Sequence, residues 1–294
     1  MTDFYRMRRR TPETLDDLVT LAGLSNNAAN VVMQLAIPGV GHGVQESRVA
    51  SGRVVDRPFK RARTTTQYLA VALYGSERDR SAYRRAIAAV HAHVHSTEKS
   101  PVRYSGNARK LQLWVAACLF YYYIDQYQLL YGALDEPTLD RLTADAVTLA
   151  TGVNLTAEEW PATWAEFTAY WESSLDDVAI AQPVRDYLED LATLDFIKEP
   201  MGPVGVVLAG LLGRPFRFFT RGTVHPRIRE AMGWTWSDAE QRRLELLMRV
   251  VRVADRFYPA SLLYRGHLVD LRARLALGLD PLGRTRLDEG ARAA

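Results

Sequence analysis

The sequence predicts an all-α protein that folds as a single globular multi-helix domain. Apolar residues recur at the three- and four-residue spacing of amphipathic helices along most of the chain. Alternating strand patterns of useful length are absent, and so are βαβ spacing, internal repeats and a long flexible linker. We therefore predict one domain over residues 1–294, with its core over about residues 11–270 and a frayed tail over residues 283–294.

Start and stop signals divide the first half of the chain into helices. Thr11 and Pro12 precede an acidic turn, which predicts a helix beginning with Thr11 as its N-cap. The apolar run 31–37 ends at Pro38, and a helix over 64–74 is closed by Gly75. A further helix is predicted over 81–95, with Ala86, Ile87, Val90 and Val94 on one stripe.

Residues 111–131 are apolar on almost every side, which indicates a buried central helix closed by Gly132. The Ser237-Asp238-Ala239-Glu240 sequence fits a capping box and predicts a last long helix over 237–256. The remaining predicted helices are 136–150, 162–178, 183–191 and 204–212.

The bulk composition excludes several classes of protein. With 48% hydrophobic and 24% charged residues, the chain is ordinary for a globular protein. The 37 basic and 34 acidic residues leave a net charge of +3. Apart from 8–10 and 60–63 the cations are dispersed, whereas a nucleic-acid binder concentrates them on one face. We therefore expect no nucleic-acid partner.

The cysteine count and the apolar stretches of the sequence predict the compartment of the protein and its relation to membranes. Cys118 is the only cysteine, so no intrachain disulfide can form and an oxidising compartment is not required. The N-terminal residues lack the apolar core of a secretory signal. The apolar stretch 111–124 is too short to span a bilayer. We expect a cytoplasmic protein without stable membrane insertion.

The glycine-rich run 39–43 superficially resembles a dinucleotide-binding loop. That fingerprint requires a preceding strand and a βαβ unit, and the surrounding sequence is helical. We interpret the run as a tight backbone corner beside a buried group, since glycine permits close approach.

Three of the six histidines lie within 90–95, which makes this segment a candidate site. His91 and His95 are four residues apart and would share a helical face, with His93 pointing elsewhere. Such a pair can bind a metal, but zinc or non-haem iron usually needs a third ligand, and none adjoins it. A solvated or helix-capping role stays open for each histidine.

Two further groups of residues are candidates for a pocket. Arg61, Thr65 and Tyr68 lie on nearly one helical face, and an arginine on an apolar helix needs an anionic partner unless it reaches the surface. The aromatic run beginning at Trp114 and ending at Tyr123 would wall a planar cofactor or apolar ligand, or form plain core.

Five segments, in the correct order, resemble the superfamily of rubber oxygenases (latex-clearing proteins) and MpaB-type haem oxygenases. His91 occupies the histidine position of that family's V-x-x-(I/M/V)-H-x-x-V helix, and Arg61 and Thr65 match its R-x-x-x-T segment. The resemblance covers most of residues 5–265, in the segments 35–47, 61–75, 90–94, 104–115 and 225–237.

The resemblance implies an all-helical fold enclosing a haem b pocket, with His91 as the axial iron ligand. It implies that Arg61 tunes oxygen chemistry or anchors a propionate and that Thr65 hydrogen-bonds near the iron-bound oxygen. Tyr68 and Trp114 are expected to line the haem. Characterised relatives oxidatively cleave isoprenoid double bonds, and such chemistry needs a dry apolar cavity.

One residue departs from the family pattern. The W-V-H-A motif reads Trp114-Val115-Ala116-Ala117, so Ala116 replaces a common histidine. If that histidine were the only iron ligand, the chain would lack haem or hold it differently. With His91 as ligand, the change alters the substrate pocket, which the tyrosines 121–123 would help to shape.

The sequence therefore favours a haem b oxidoreductase that uses O₂ or peroxide on a small apolar or semi-polar molecule, in a tailoring step of secondary metabolism. Two alternatives stay open. The first is a non-catalytic protein that binds haem or a lipid-like ligand, and the second is a non-haem metal enzyme using His91 and His95. The oligomeric state is open, a homodimer included.

Overall fold

The computed structural model describes residues 11–47, 58–258 and 260–283, and within them the secondary structure is helical. This confirms the predicted all-α class. The α-helices are α1 (Leu21–Ser25), α2 (Asn27–Gln34), α3 (Pro38–Gln45), α4 (Pro58–Tyr74), α5 (Glu77–His91), α6 (Arg109–Tyr131), α7 (Glu136–Asp145), α8 (Val147–Thr151), α9 (Trp164–Leu175), α10 (Gln182–Ala192), α11 (Lys198–Thr223), α12 (Pro226–Ala231), α13 (Asp238–Asp255) and α14 (Ala260–Ala276). Short 3₁₀ turns lie at Leu15–Leu18, Ala157–Glu159 and Asp195–Ile197.

Helix α6 is the central helix, as the sequence predicted. It contacts α1, α2, α8, α9 and α13, so neighbours surround it. Phe120 on α6 is completely buried, and its ring meets the rings of Phe167, Trp160 and Trp164 edge-on. Gly132 ends the helix with a φ of 99°, a backbone conformation in the left-handed half of φ space that glycine adopts without strain.

The N-terminal helices differ from the prediction at two prolines. The first turn begins after Thr14, whose capping box with Asp17 replaces the predicted cap at Thr11. Pro38 does not end a helix but begins α3, because the first turn of a helix needs no N–H from that residue. The run 39–43 is therefore helical and not the predicted corner.

Helix α5 is shifted toward the N-terminus relative to the prediction. Ser76 caps it in a capping box with Asp79, and its last residue is His91. His95 lies beyond the helix, in an isolated bridge with Ser105. The prediction that His91 and His95 share a helical face is thus wrong.

The C-terminal helices α11 to α14 contain the largest errors of prediction. Helix α11 runs far beyond the predicted 204–212, with non-helical backbone at Gly202 and Pro215 inside it. Helix α14 was not predicted, and it packs along α4. Helix α13 begins at the predicted capping box of Ser237 and Glu240.

The segment Asp195–Thr223 is, among the described residues, long and apolar enough to cross a membrane by length and composition alone. Its second half nevertheless belongs to the fold. Phe219 packs in a small apolar cluster with Leu244 and Met248, and buried Thr220 donates a hydrogen bond to Asn26 Oδ1 at 2.8 Å. We therefore treat α11 as a helix of this domain. The predicted frayed tail lies almost entirely outside the described residues, which end at 283.

Candidate functional site

A cavity of about 470 Å³ opens between α2, α3, α4, α5 and α6. This volume lies within the usual range of small-molecule sites, roughly 300–1,000 Å³. Most of its wall is apolar, so water inside it would find few hydrogen-bond partners. The apolar lining residues include Leu24, Val31, Leu35, Val40, Val44, Ile87, Val90, Leu111, Val115, Ala116, Leu119 and Phe216.

The structure brings three of the predicted site residues to this cavity. His91, Thr65 and Tyr68 all line it. Helix α4 presents Thr65 and Tyr68, and α5 presents His91 from its last turn. Arg61 lies on α4 one turn before Thr65, and its side chain is outside the described part of the structure.

Trp114 does not reach the cavity wall. Its ring is 1% exposed and stacks on Trp171 with 5.1 Å between ring centroids, and Nε1 donates to the carbonyl oxygen of Gln34 at 3.0 Å. Trp114 therefore supports the cavity from behind, because Gln34 is itself a lining residue.

The tyrosines 121–123 lie outside the cavity wall as well. Tyr121 stacks on Trp171 at 4.2 Å and meets His225 edge-on, while Tyr122 donates hydrogen bonds to the carbonyl oxygens of Gly23 and Asn26. Both rings hold helices together, and the expected pocket role for this run is not seen.

Ala116, the residue that departs from the family pattern, lies on the cavity wall. It is 1% exposed, and its methyl side chain is much smaller than the imidazole of the histidine that is common in the family. The departure therefore changes the inside of the cavity and not a distant surface.

Gln112, which the sequence analysis passed over, holds His91 in place. Its Oε1 accepts a hydrogen bond from the backbone N–H of Asn154 at 2.8 Å, and its Nε2 donates to the carbonyl oxygen of Gly106 at 2.8 Å. The same Nε2 lies 3.4 Å from His91 Nδ1. In the sequence, Gln112 could have been noticed as a glutamine in the first turn of a largely apolar helix. A buried amide needs hydrogen-bond partners, so such a glutamine indicates contacts with other segments.

Gly106 allows this loop to approach His91 closely. A Cβ atom at Gly106 would lie 2.9 Å from the carbonyl oxygen of His91 and 3.1 Å from its Cβ. Only glycine permits that approach without a shift of the backbone. The loop and α6 thus fix the His91 ring from two sides.

A carboxylate behind the cavity fixes a further lining residue. Glu46 accepts hydrogen bonds from Tyr104 at 3.0 Å and Ser100 at 2.6 Å, and it pairs with His42 Nδ1 at 2.9 Å. Burial alone would raise the pKa of Glu46, but these hydrogen bonds hold it below its ordinary value. The ionised carboxylate anchors Tyr104, which lines the cavity.

The residues of the cavity fit the haem b that the family resemblance implies. An imidazole is one of the side chains that hold haem iron, and His91 lies on the wall of an apolar cavity. The described residues contain no cluster of three or more His, Cys, Asp or Glu side chains such as a non-haem centre uses. His95 is exposed, so it does not add a second ligand.

Comparisons with known proteins agree with the cavity. The protein family described as "ER-bound oxygenase mpaB/B'/Rubber oxygenase, catalytic domain" matches residues 17–253. The uncharacterized protein Rv2237 of Mycobacterium tuberculosis is 46% identical over 255 residues, which are 85% of this chain and 97% of that protein. The uncharacterized protein Mb2261 of Mycobacterium bovis matches to the same extent. No solved structure matches the chain. A match over most of the chain, cavity included, shows that it belongs to the mpaB and rubber oxygenase catalytic-domain family.

Proposed function

We propose that this protein is a haem b-dependent oxygenase that uses O₂ or peroxide to oxidise a small apolar or semi-polar molecule. The observation that carries the proposal is His91, an imidazole on the wall of an apolar cavity in a chain of an oxygenase family. A tailoring reaction of secondary metabolism in the cytoplasm fits a cavity of this size better than attack on a polymer.

In this proposal His91 holds the iron, and Gln112 and Gly106 hold His91. Bound haem supplies the iron at which O₂ or peroxide is activated. Thr65 lines the cavity, and its hydroxyl would hydrogen-bond near the bound oxygen. Arg61 lies one turn earlier on α4, and in this proposal it tunes the oxygen chemistry or anchors a propionate. The apolar wall excludes water from the reacting groups.

The cavity also has a polar edge that would orient a semi-polar substrate. Gln34 Nε2 donates to Asn30 Oδ1 at 3.0 Å, and both side chains are buried lining residues. This pair leaves amide hydrogen-bonding capacity for a substrate hydroxyl or carbonyl. By fixing the orientation of the substrate, such a contact would determine which of its bonds is oxidised.

A non-catalytic haem- or lipid-like-ligand-binding protein is the second candidate. Ala116 favours it, because a histidine common in the family is missing from the cavity wall itself. The cavity would then hold a ligand without completing an oxygen reaction.

Two measurements on the purified protein test these proposals. After expression in haem-replete cells, we expect a Soret band and a pyridine haemochrome of haem b, and a colourless protein would contradict both haem proposals. We then expect O₂ consumption when an alkene or aromatic substrate is added. A haem-loaded protein that consumes no O₂ with any such substrate would support the binding protein.

A further inference from the structure

The exposed apolar surface of the protein is concentrated in its C-terminal helices. Among the described residues, the large apolar side chains that are exposed lie between 204 and 279, on α11, α13, α14 and the turns that follow. Soluble monomers rarely expose apolar patches that are contiguous and large unless the patch contacts a partner or a membrane. This part of the molecule is therefore a candidate docking surface.

Helix α13 has two apolar stripes on opposite sides. Leu244 and Met248 are at most 1% exposed and pack against α6 and α11. The outer stripe has the four-three-four spacing of residues on one helical face. This stripe consists of Leu246, Val250, Val253 and Phe257, which are 62%, 65%, 58% and 83% exposed, respectively. Only the inner stripe is needed for the fold.

Arginines flank the outer stripe. Arg242, Arg249 and Arg256 are seven residues apart, so they form a row along one side of it, and Arg243 lies on the other side. Together with Arg252 they are exposed, and none of the five forms an ion pair with a described residue. Glu240 is already paired with Arg221 at 3.2 Å. Between 242 and 256 the one exposed carboxylate is Glu245, which accepts a hydrogen bond from Gln241 at 3.1 Å, so five arginines outnumber it. The rim of the stripe is thus positively charged.

We propose that the outer face of α13 docks the protein on the surface of an anionic lipid bilayer. The stripe from Leu246 to Phe257 would lie at the boundary between headgroups and acyl chains, and the arginines would contact lipid phosphates. An exposed apolar stripe with cations on both sides is the pattern of helices that lie in the membrane interface.

Two other partners fit this face less well. A second copy of the chain, packed stripe to stripe, would bring the five arginines of each α13 helix together, with only the exposed Glu245 of each copy to offset them. A nucleic acid would satisfy the arginines but would leave Phe257 and the valines in water. A lipid surface satisfies both the charge and the apolar stripe.

Vesicle co-sedimentation of the full chain tests the proposal. We expect binding to phosphatidylcholine vesicles that contain phosphatidylglycerol, and at least about tenfold weaker binding to pure phosphatidylcholine. The double variant V250E/V253E should lower binding to the anionic vesicles at least about tenfold, because it puts two carboxylates into the stripe. R249Q/R256Q should lower it about fivefold per arginine, and only on anionic vesicles.

The control is Ala89→Glu, which puts one such carboxylate, half the added charge of V250E/V253E, at an exposed position of α5, outside the stripe. It should bind vesicles like the wild type, and all variants should keep the wild-type Tm because the changed residues are exposed. The proposal would be overturned if the wild-type protein did not bind anionic vesicles, or if V250E/V253E bound them like the wild type. A dimer in light scattering that V250E/V253E dissociates, without vesicle binding, would assign the face to a second copy.

Discussion

Helices α6 and α11 are both long and apolar, but the fold uses them in opposite ways. On α6, Phe120 and Ile124 are 0% and 2% exposed, whereas on α11 Val204 and Leu211 are 59% and 69% exposed. Helix α6 has neighbours on all sides and forms a cavity wall, while the first half of α11 is covered on one side only. Apolar composition therefore indicates what a helix could bury, and the number of neighbours decides what it does bury.

The largest expected change in the free energy of unfolding comes from a substitution on the buried helix α6. Phe120→Ala should lower the free energy of unfolding by about 3–5 kcal/mol, because it removes a ring that packs on three other rings and leaves a cavity. Urea unfolding followed by circular dichroism measures this change. A loss under about 1 kcal/mol would mean that α6 is not the packed centre of the domain.

A second prediction compares a glutamine near each end of α6, Gln112 and Gln128. If Gln112 positions His91, Gln112→Leu should weaken haem binding by roughly 10–100-fold in a titration of apoprotein, as losses of such supporting contacts do. Gln128→Leu is the matched control, because Gln128 Oε1 accepts from the backbone N–H of Leu134 at 3.0 Å and lies outside the cavity. Equal haem affinity of the two variants would remove Gln112 from this role.

The buried carboxyl of Asp125 on α6 destabilises the folded state when it is ionised. Burial raises the pKa of its carboxyl to about 6, and the hydrogen bond from Gln126 only partly offsets this. The native state thus binds this proton more tightly than the unfolded chain, so stability falls as the pH rises from about 4 to about 6. Asp125→Asn should stabilise the protein by about 1–2 kcal/mol at about pH 8.

This gain should shrink as the pH falls through about 6 and about 4 and vanish below about pH 3, where the carboxyl is protonated in both states. Thermal unfolding of the wild type and Asp125→Asn over that pH range measures it. A stabilisation that is the same at every pH would contradict a pKa raised by burial and would point to packing instead.

The smallest expected effect is on the exposed helix. Leu211→Ala should change the free energy of unfolding by less than about 0.5 kcal/mol, because the side chain is 69% exposed. The same urea experiment applies. A loss as large as that of Phe120→Ala would show that this face of α11 is covered in solution, which would break the comparison.

The sequence predicted those elements whose signals are local. Gly75, Gly132 and the Ser237 capping box end or begin helices as expected, because caps depend on neighbouring residues. Helix α11 was predicted too short, because in the fold the helix continues beyond the predicted 204–212, through Pro215, to Thr223. Helix α14 was missed because its apolar residues are spread around the helix and give no stripe.

The candidate site was predictable in part. The resemblance named His91, Thr65 and Tyr68, and the structure brings these three residues to one cavity. Gln112 and the pair of Asn30 and Gln34 were not found, because their roles come from contacts between segments far apart in the chain. Trp114 was predicted to line the pocket because aromatic composition alone does not separate a wall from the core behind it.

The absorption spectra of His91→Ala and His95→Ala, purified alongside the wild type, test the central claim most directly. The two histidines differ in position, since one lines the cavity and the other is exposed beyond α5. We predict that the Soret band is lost or shifted in His91→Ala and is unchanged in His95→Ala. An unchanged band in His91→Ala, or an equal loss in both variants, would contradict His91 as the ligand that holds haem in this cavity.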